Sequence, residues 1–383
     1  MKRLRKVILW MAIGILIENG CFLYFNNYFL VKKLYVTSKS VSSSTLNESL
    51  NKIPSKANNI KVSDDGKYAT YLLKNTICIS NLANKKVNKI PISDDEKLIL
   101  FKWMPYKDEI YYLLKTPAAQ TNYCIKQYNI LDGKSKILSN IALKDSPHSK
   151  STNNSIIKDV QSSIGITNAF IAEIQNSSGL SFLAFINNNF GTQDICPYNA
   201  NVFSNIMNFC PVNIGFYYLY QDFKDSTIYI NTHLYSGFSL GGSDISKALQ
   251  SLIVIEPESE NLNDFQKPQH LKLDNIKNPR LLGSDTLGNL YIGSLNDKSK
   301  ISSIYTVNLM LDTLNFKKFS LKNAEDEKNI SITTNCGVFI VHKNYVLNLK
   351  NKKKTQYDGR FVQIANNKLF YIYKGSLISC DIS

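Results

Sequence analysis

One pattern governs what this chain can fold into: a pair of short strands joined by a tight turn, repeated along most of its length. In the first copy Ser63-Asp64-Asp65-Gly66-Lys67 is a turn, and Tyr68-Ala69-Thr70-Tyr71-Leu72-Leu73 is a strand rich in β-favouring residues. Lys74 and Asn75 reverse the chain, and Ile77-Cys78-Ile79-Ser80-Asn81-Leu82 returns to the polar turn Ala83-Asn84-Lys85-Lys86. In the second copy Phe101-Lys102-Trp103 precedes a turn at 105–109. Ile110-Tyr111-Tyr112-Leu113-Leu114 is its strand, and Tyr123 to Ile130 returns towards Asp132-Gly133. The two copies stand about 40 residues apart, the length of one four-stranded sheet with its turns in a repeat protein.

Weaker copies follow. Phe170 to Ile174 pairs in rhythm with Leu180 to Ile186, Phe216 to Tyr220 with Ile228 to Leu234, and Asn289 to Ile292 with Ser303 to Leu309. Gly337 to Val341 goes with Tyr345 to Leu349, and Lys368 to Tyr373 with Leu377 to Ile382. Six or seven such units in 383 residues predict an all-β domain over 59–383, a six- or seven-bladed β-propeller. The 22 Tyr and 19 Phe are spread along the whole chain, as strands everywhere require. A propeller closes by pairing a strand from one terminus into the blade made by the other, which removes an exposed edge. Because the chain ends inside a strand pattern at Ile382, the last unit needs a strand from near Ile60 or from Leu34 to Thr37.

The turn residues carry a family likeness. Ser63-Asp64-Asp65-Gly66-Lys67-Tyr68-Ala69-Thr70-Tyr71 resembles the S-P-D-G-K-x-I-A-Y signature of TolB-like and related WD-type propellers, with Asp64 where that family has proline. Phe101-Lys102-Trp103-Met104-Pro105 followed by Ile110-Tyr111-Tyr112 is similar to its F-S-W-S-P-D-G-x-x-I-Y-Y form, so the resemblance covers residues 60–140. It implies a fold and company near a membrane. The signature residues shape blade turns, and the resemblance brings no catalytic residue with it.

Residues 7–31, VILWMAIGILIENGCFLYFNNYFLV, stand between MKRLRK and Lys32-Lys33 and are long enough to cross about 30 Å of hydrocarbon. Glu18 interrupts them, and a carboxyl there has to be protonated, interfacial or paired with another helix. Lys2, Arg3, Arg5 and Lys6 predict a cytoplasmic basic tail over 1–6, a transmembrane signal-anchor helix over 7–31 and an extracytoplasmic remainder. No small-x-small site suited to a signal peptidase follows the apolar core, and Cys21 shares only its Gly-Cys pair with a lipobox. Residues 32–58, rich in Ser, Asn, Thr and Lys from 36 onward, read as a flexible spacer.

Of 45 basic residues, six flank the apolar run, leaving 39; Glu18 lies within it, leaving 29 of 30 acids, so the part from residue 34 onward is about +10. A basic surface suits nucleic acid, anionic lipid or an anionic wall polymer. Only Arg280 and Arg360 are arginines there, which argues against nucleic acid, whose bases and phosphates favour the guanidinium fork. Cys78, Cys124 and Cys380 sit in apolar strand patterns as buried thiols do, and Cys196–Cys210 is the only pair close enough in sequence for a loop bridge.

The sharpest catalytic pattern is Gly237-Phe238-Ser239-Leu240-Gly241, a G-x-S-x-G turn between strand-like Ile228 to Leu234 and a short helix at 244–252. With His342 or His270 as base and Asp274 or Asp285 as orienting acid it would make a membrane-tethered serine hydrolase. The βαβ alternation of that fold is absent, and Thr232-His233-Leu234-Tyr235-Ser236 is not a fully apolar strand, so the segment reads as a loop. His148, His233, His270 and His342 lack i, i+2 or i, i+4 partners, so no metal is expected. Asp64-Asp65-Gly66 reads as a blade turn rather than a calcium loop, and no cofactor fingerprint is present. The expected function is binding without catalysis. The longest irregular segments, 140–156, 235–250 and 257–279, would build the face for an envelope protein, or lysines would contact an anionic wall polymer.

Overall fold

Seven antiparallel sheets contain the strands of the described residues, six of four strands and one of five. The computed structural model describes residues 48–105, 107–117, 122–143, 155–162, 169–177, 179–187, 196–197, 206–211, 217–222, 227–232, 253–255, 269–309, 311, 315–333 and 337–382. Residues 7–31, and Leu34 to Thr37, lie outside them. Among the described residues no helix is long and apolar enough to cross a membrane.

The sheets follow one another as blades 1 to 6 over 58–91, 97–142, 156–197, 206–271, 279–325 and 330–356, and blade 7 over 360–381. We letter the strands of each blade from A to D. Strand A is innermost: Asn58–Val62 lies against Arg360–Ala365, and Pro279–Ser284 against both Ile206–Pro211 and Ile330–Ile332. Strand D of blade 7 is the N-terminal segment Glu48–Lys52, paired with Ser376–Asp381 through Glu48 opposite Ser379 and Lys52 opposite Ser376. The protein is therefore a seven-bladed β-propeller closed by its own N-terminal side. The closing strand comes from the segment read as a spacer, and Ile60 belongs instead to strand A of blade 1. Serine and asparagine concealed it, because an outer strand needs backbone pairing more than apolar side chains.

The seven hairpins read from sequence are the B and C strands. Both faces of a blade pack on neighbouring blades, so side chains alternating at period two go to different interblade cores. On Glu109–Lys115, Ile110, Tyr112 and Leu114 join Ile77 and Ile79 of blade 1, while Tyr111 and Leu113 join Val160 and Phe170 of blade 3. On Lys368–Tyr373, Phe370 packs with Val62 and Ala69 of blade 1, and Leu369 and Tyr371 with Val346 of blade 6. Each fully buried side chain of this kind contributes about 1.5–3 kcal/mol.

Six A strands carry one extra residue against strand B, near Lys61, Leu100, Asp159, Asn208, Gly283 and Gln363. Bulges raise local twist, which helps inner strands turn about the axis. Strand A of blade 6, Ile330–Ile332, has three residues and no bulge. Strand direction alternates, so the A–B and C–D turns lie at one end of the blades and the B–C turns and D-to-A linkers at the other. The strands bracketing 143–155 end at the linker end, whereas those bracketing 256–268 end at the A–B end. The strand ends bracketing 143–155 and those bracketing 256–268 therefore lie at opposite ends of the blades.

Candidate functional site

The site is built on C–D turns with a common geometry. Asn81, Asn129 and Asn348 each end a C strand, and their side-chain oxygens accept backbone N–H groups two residues on, at 2.9, 2.8 and 2.9 Å. In each, the N–H four residues on returns to the asparagine carbonyl, from Lys85, Gly133 and Lys352 at 2.9, 3.0 and 2.9 Å. Those residues have φ of 61°, 68° and 62°, the left-handed conformation that closes such a turn. Three of the chain's asparagines thus have a structural role in closing these turns.

In blade 6 the turn is capped again by Asn351, whose Oδ1 accepts from Lys353 N–H at 2.9 Å. It holds Lys350, Lys352, Lys353 and Lys354 outward, all exposed. On the adjacent blade 5, strand D (Lys317–Glu325) starts at the same end with exposed Lys317 and Lys318. Aromatic rings steady three of these ammonium groups: Lys317 lies 5.1 Å from the Phe319 centroid, Lys318 5.4 Å from Tyr305 and Lys354 4.7 Å from Tyr345. Glu325, Asp326 and Glu327 stand at the far end of that same strand D. One strand thus separates charge by its length. The six lysines stand at the same end of two neighbouring blades, three of them over aromatic rings. Lys350 to Lys354 were visible in sequence as a charge run; Lys317 and Lys318 join them only because blades 5 and 6 are adjacent.

At the opposite end a cavity of about 550 Å³ opens beside Leu282, Glu327, Lys328, Ile330 and Ile332, where the short strand A of blade 6 meets blade 5. Arg280 Nε lies 3.3 Å from Glu327 Oε2 there.

Of the residues singled out for catalysis, His342, His270, Asp274 and Asp285 are among the described residues, each in separate contacts. Ser239, His148 and His233 lie outside the described residues. His342, in the B–C turn of blade 6, packs on Tyr345 with centroids 4.3 Å apart and has Nε2 3.8 Å from Glu325 Oε1. His270 sits in strand D of blade 4, edge-on to Tyr229 at 6.5 Å. Asp274 is exposed and pairs with Lys272 at 3.6 Å. Asp285, 1% exposed, accepts from Leu287 N–H, Asn289 N–H, Asn289 Nδ2 and Tyr291 OH at 2.8–2.9 Å, so its carboxylate shapes the A–B turn of blade 5.

Asp65 plays a similar part in blade 1, accepting from Ser63 Oγ at 2.7 Å and Lys67 N–H at 3.1 Å, with Gly66 at φ 73°. Among the described residues no group of three His, Cys, Asp or Glu is placed to hold a metal. Cys78, Cys124 and Cys380 are buried free thiols on C strands, and burial pushes each thiol up from its usual range. Cys196 falls on the outer strand of blade 3 and Cys210 on strand A of blade 4.

The WD40 domain of SCAP from fission yeast is similar to 86% of this chain over 82% of its own, at 10% identity and a TM-score of 0.43. The WD40 domain of Toxoplasma gondii coronin is similar to 89% of this chain over 84% of its own, at 9% identity and a TM-score of 0.45. A prolyl endopeptidase matches 84% of this chain over 45% of its own, at 10% identity and a TM-score of 0.47. At these values the likenesses concern the fold alone. No family model matches the chain, and no curated protein matches it significantly.

Proposed function

We propose that this protein is a membrane-anchored, extracytoplasmic binding propeller without catalytic activity, and that its partner is an anionic polymer of the cell envelope. The observation that carries the reading is the cationic surface of Lys317, Lys318, Lys350, Lys352, Lys353 and Lys354, with acids of the same strand set at the other end. Long-range attraction to a row of phosphates or carboxylates needs such a one-signed field and no particular fork geometry. The anchor rests on the apolar run 7–31 and its basic flanks, and the TolB-like relationship on Ser63 to Tyr71. The hydrolase alternative centred on Ser239 gains nothing from His342 or Asp285, both held in structural contacts.

Retention of the full-length protein on purified wall material tests the binding. It should weaken steeply between low and physiological salt, and Lys353→Glu with Lys354→Glu should abolish it without changing the melting temperature. Salt-insensitive retention, or retention unchanged by the charge reversals, rejects the polymer. A cysteine at Ser43 that an impermeant reagent labels in intact cells, with one at Lys2 labelled only after permeabilisation, tests the orientation separately.

A further inference from the structure

A second cationic cluster lies inside the propeller and is independent of the outer surface. Register places Lys61, Lys102, Gln161, Cys210, Gly283 and Ser331 one residue before the last A–B pair of blades 1 to 6, and Gln363 two residues before that of blade 7; they stand opposite Thr70, Tyr111, Ile171, Leu219, Tyr291, Phe339 and Phe370 of strand B. This layer of the inner ring is cationic on blades 1 and 2 and made of small residues on blades 4, 5 and 6. Lys102 Nζ lies 2.5 Å from Asp159 Oδ1 of blade 3. Lys61 Nζ donates to the Phe101 carbonyl at 3.3 Å and stands 5.9 Å from the Phe101 ring. The Asp159 carboxylate thus engages Lys102 and acts on Lys61 only from a distance. Lys61, half-buried, has no carboxylate in contact among the described residues. Its ammonium has three donors, and a neutral carbonyl engages one.

We propose that Lys61 and Lys102 form an oxyanion site at the inner ring, taking the carboxylate or phosphate group of a small ligand that enters from the A–B end. An anion there completes the count of charges and donors, because it supplies the acceptors Lys61 lacks. Burial and the neighbouring Lys102 pull the Lys61 ammonium down to about 8, against the pull of Asp159, as expected for a cation set apart from its counter-charge.

The test follows the unfolding midpoint of the full-length protein in detergent as inorganic phosphate or acetate is added. The proposal expects one of the two to raise the midpoint in a saturable way; phosphate alone marks a phosphate ligand, acetate alone a carboxylate ligand. Lys61→Met should weaken that binding at least about tenfold, Lys61→Arg should keep it, and Lys353→Glu with Lys354→Glu should leave it unchanged. Should Lys61→Met not fold, Lys61→Gln is read the same way. No saturable effect of either anion on the wild type, or equal binding by the wild type and the Lys61 variants, overturns the site.

Discussion

Gln363 Oε1, on strand A of blade 7, accepts a 3.0 Å hydrogen bond from the backbone N–H of Val62, on strand A of blade 1, and so links the last blade to the first. The same device recurs between blades 4 and 5: Gln221 Oε1 accepts from Leu281 N–H at 2.8 Å, and its Nε2 donates to the Pro279 carbonyl at 2.7 Å. Val62 and Leu281 are fully buried, so their amide groups have no recourse to water. Gln363→Leu should lower stability by about 1–3 kcal/mol, and Gln221→Leu by at least as much because two backbone groups lose a partner. Denaturant midpoints of the two variants check this, and a cost below a few tenths in both would show that the clips carry no stability.

Closure by Glu48–Lys52 makes a second expectation. The strand covers the edge of Ser376–Asp381, and Asn51 Nδ2 reaches across to Ser80 Oγ of blade 1, so it binds two blades. Replacing Asn51 with proline removes one N–H and fixes φ. The unfolding transition should drop by several degrees and the protein should aggregate more readily through the exposed edge. Light scattering and a melting curve decide it; a variant melting like the wild type would show that blade 7 holds without its fourth strand.

Asp285 is a structural acid. Asp285→Ala strands four donors in the A–B turn of blade 5, so a cost of about 3 kcal/mol is expected, with smaller loss in Asp285→Asn, which keeps one acceptor oxygen. Any nucleophile-directed labelling of the protein should be unaffected by either change, whereas an orienting acid would alter both labelling and stability.

Lys61 gives the fold a signature in alkaline solution. Its folded value of about 8 lies below the ordinary 10.5, so between those values the unfolded chain holds a proton that the folded protein has lost. Raising the pH through this window favours the folded state, and below about 8 both forms are charged and the dependence stops. Relative to Lys61→Met, the wild type should gain up to about 3 kcal/mol between pH 8 and 10.5. Unfolding free energies of the pair at pH 7, 8, 9 and 10.5 measure it, and a flat difference would mean that the Lys61 ammonium is not desolvated.

How much the sequence held is clearest in the B strands. Ile110-Tyr111-Tyr112-Leu113-Leu114 and Phe170 to Ile174 are legible because two-sided burial writes an unbroken apolar run, and the seven hairpins they start are the seven blades. The turn at Ser63 to Lys67 is legible because glycine at positive φ and an acceptor side chain are local requirements. Glu48–Lys52 is not: an edge strand is specified by backbone pairing with Ser376–Asp381 more than 300 residues away, and its own side chains give no sign of it. The two cationic clusters divide in the same way. Lys350 to Lys354 announce themselves as a run, but Lys61, Lys102 and Asp159 are single charges on the A strands of three blades. The sequence by itself determined the strands and their tight turns, since those depend on neighbours a few residues apart. Which end of which blade each charge occupies, and which inner-ring side chains meet, was decided only when seven sheets closed around one axis and set distant A strands side by side.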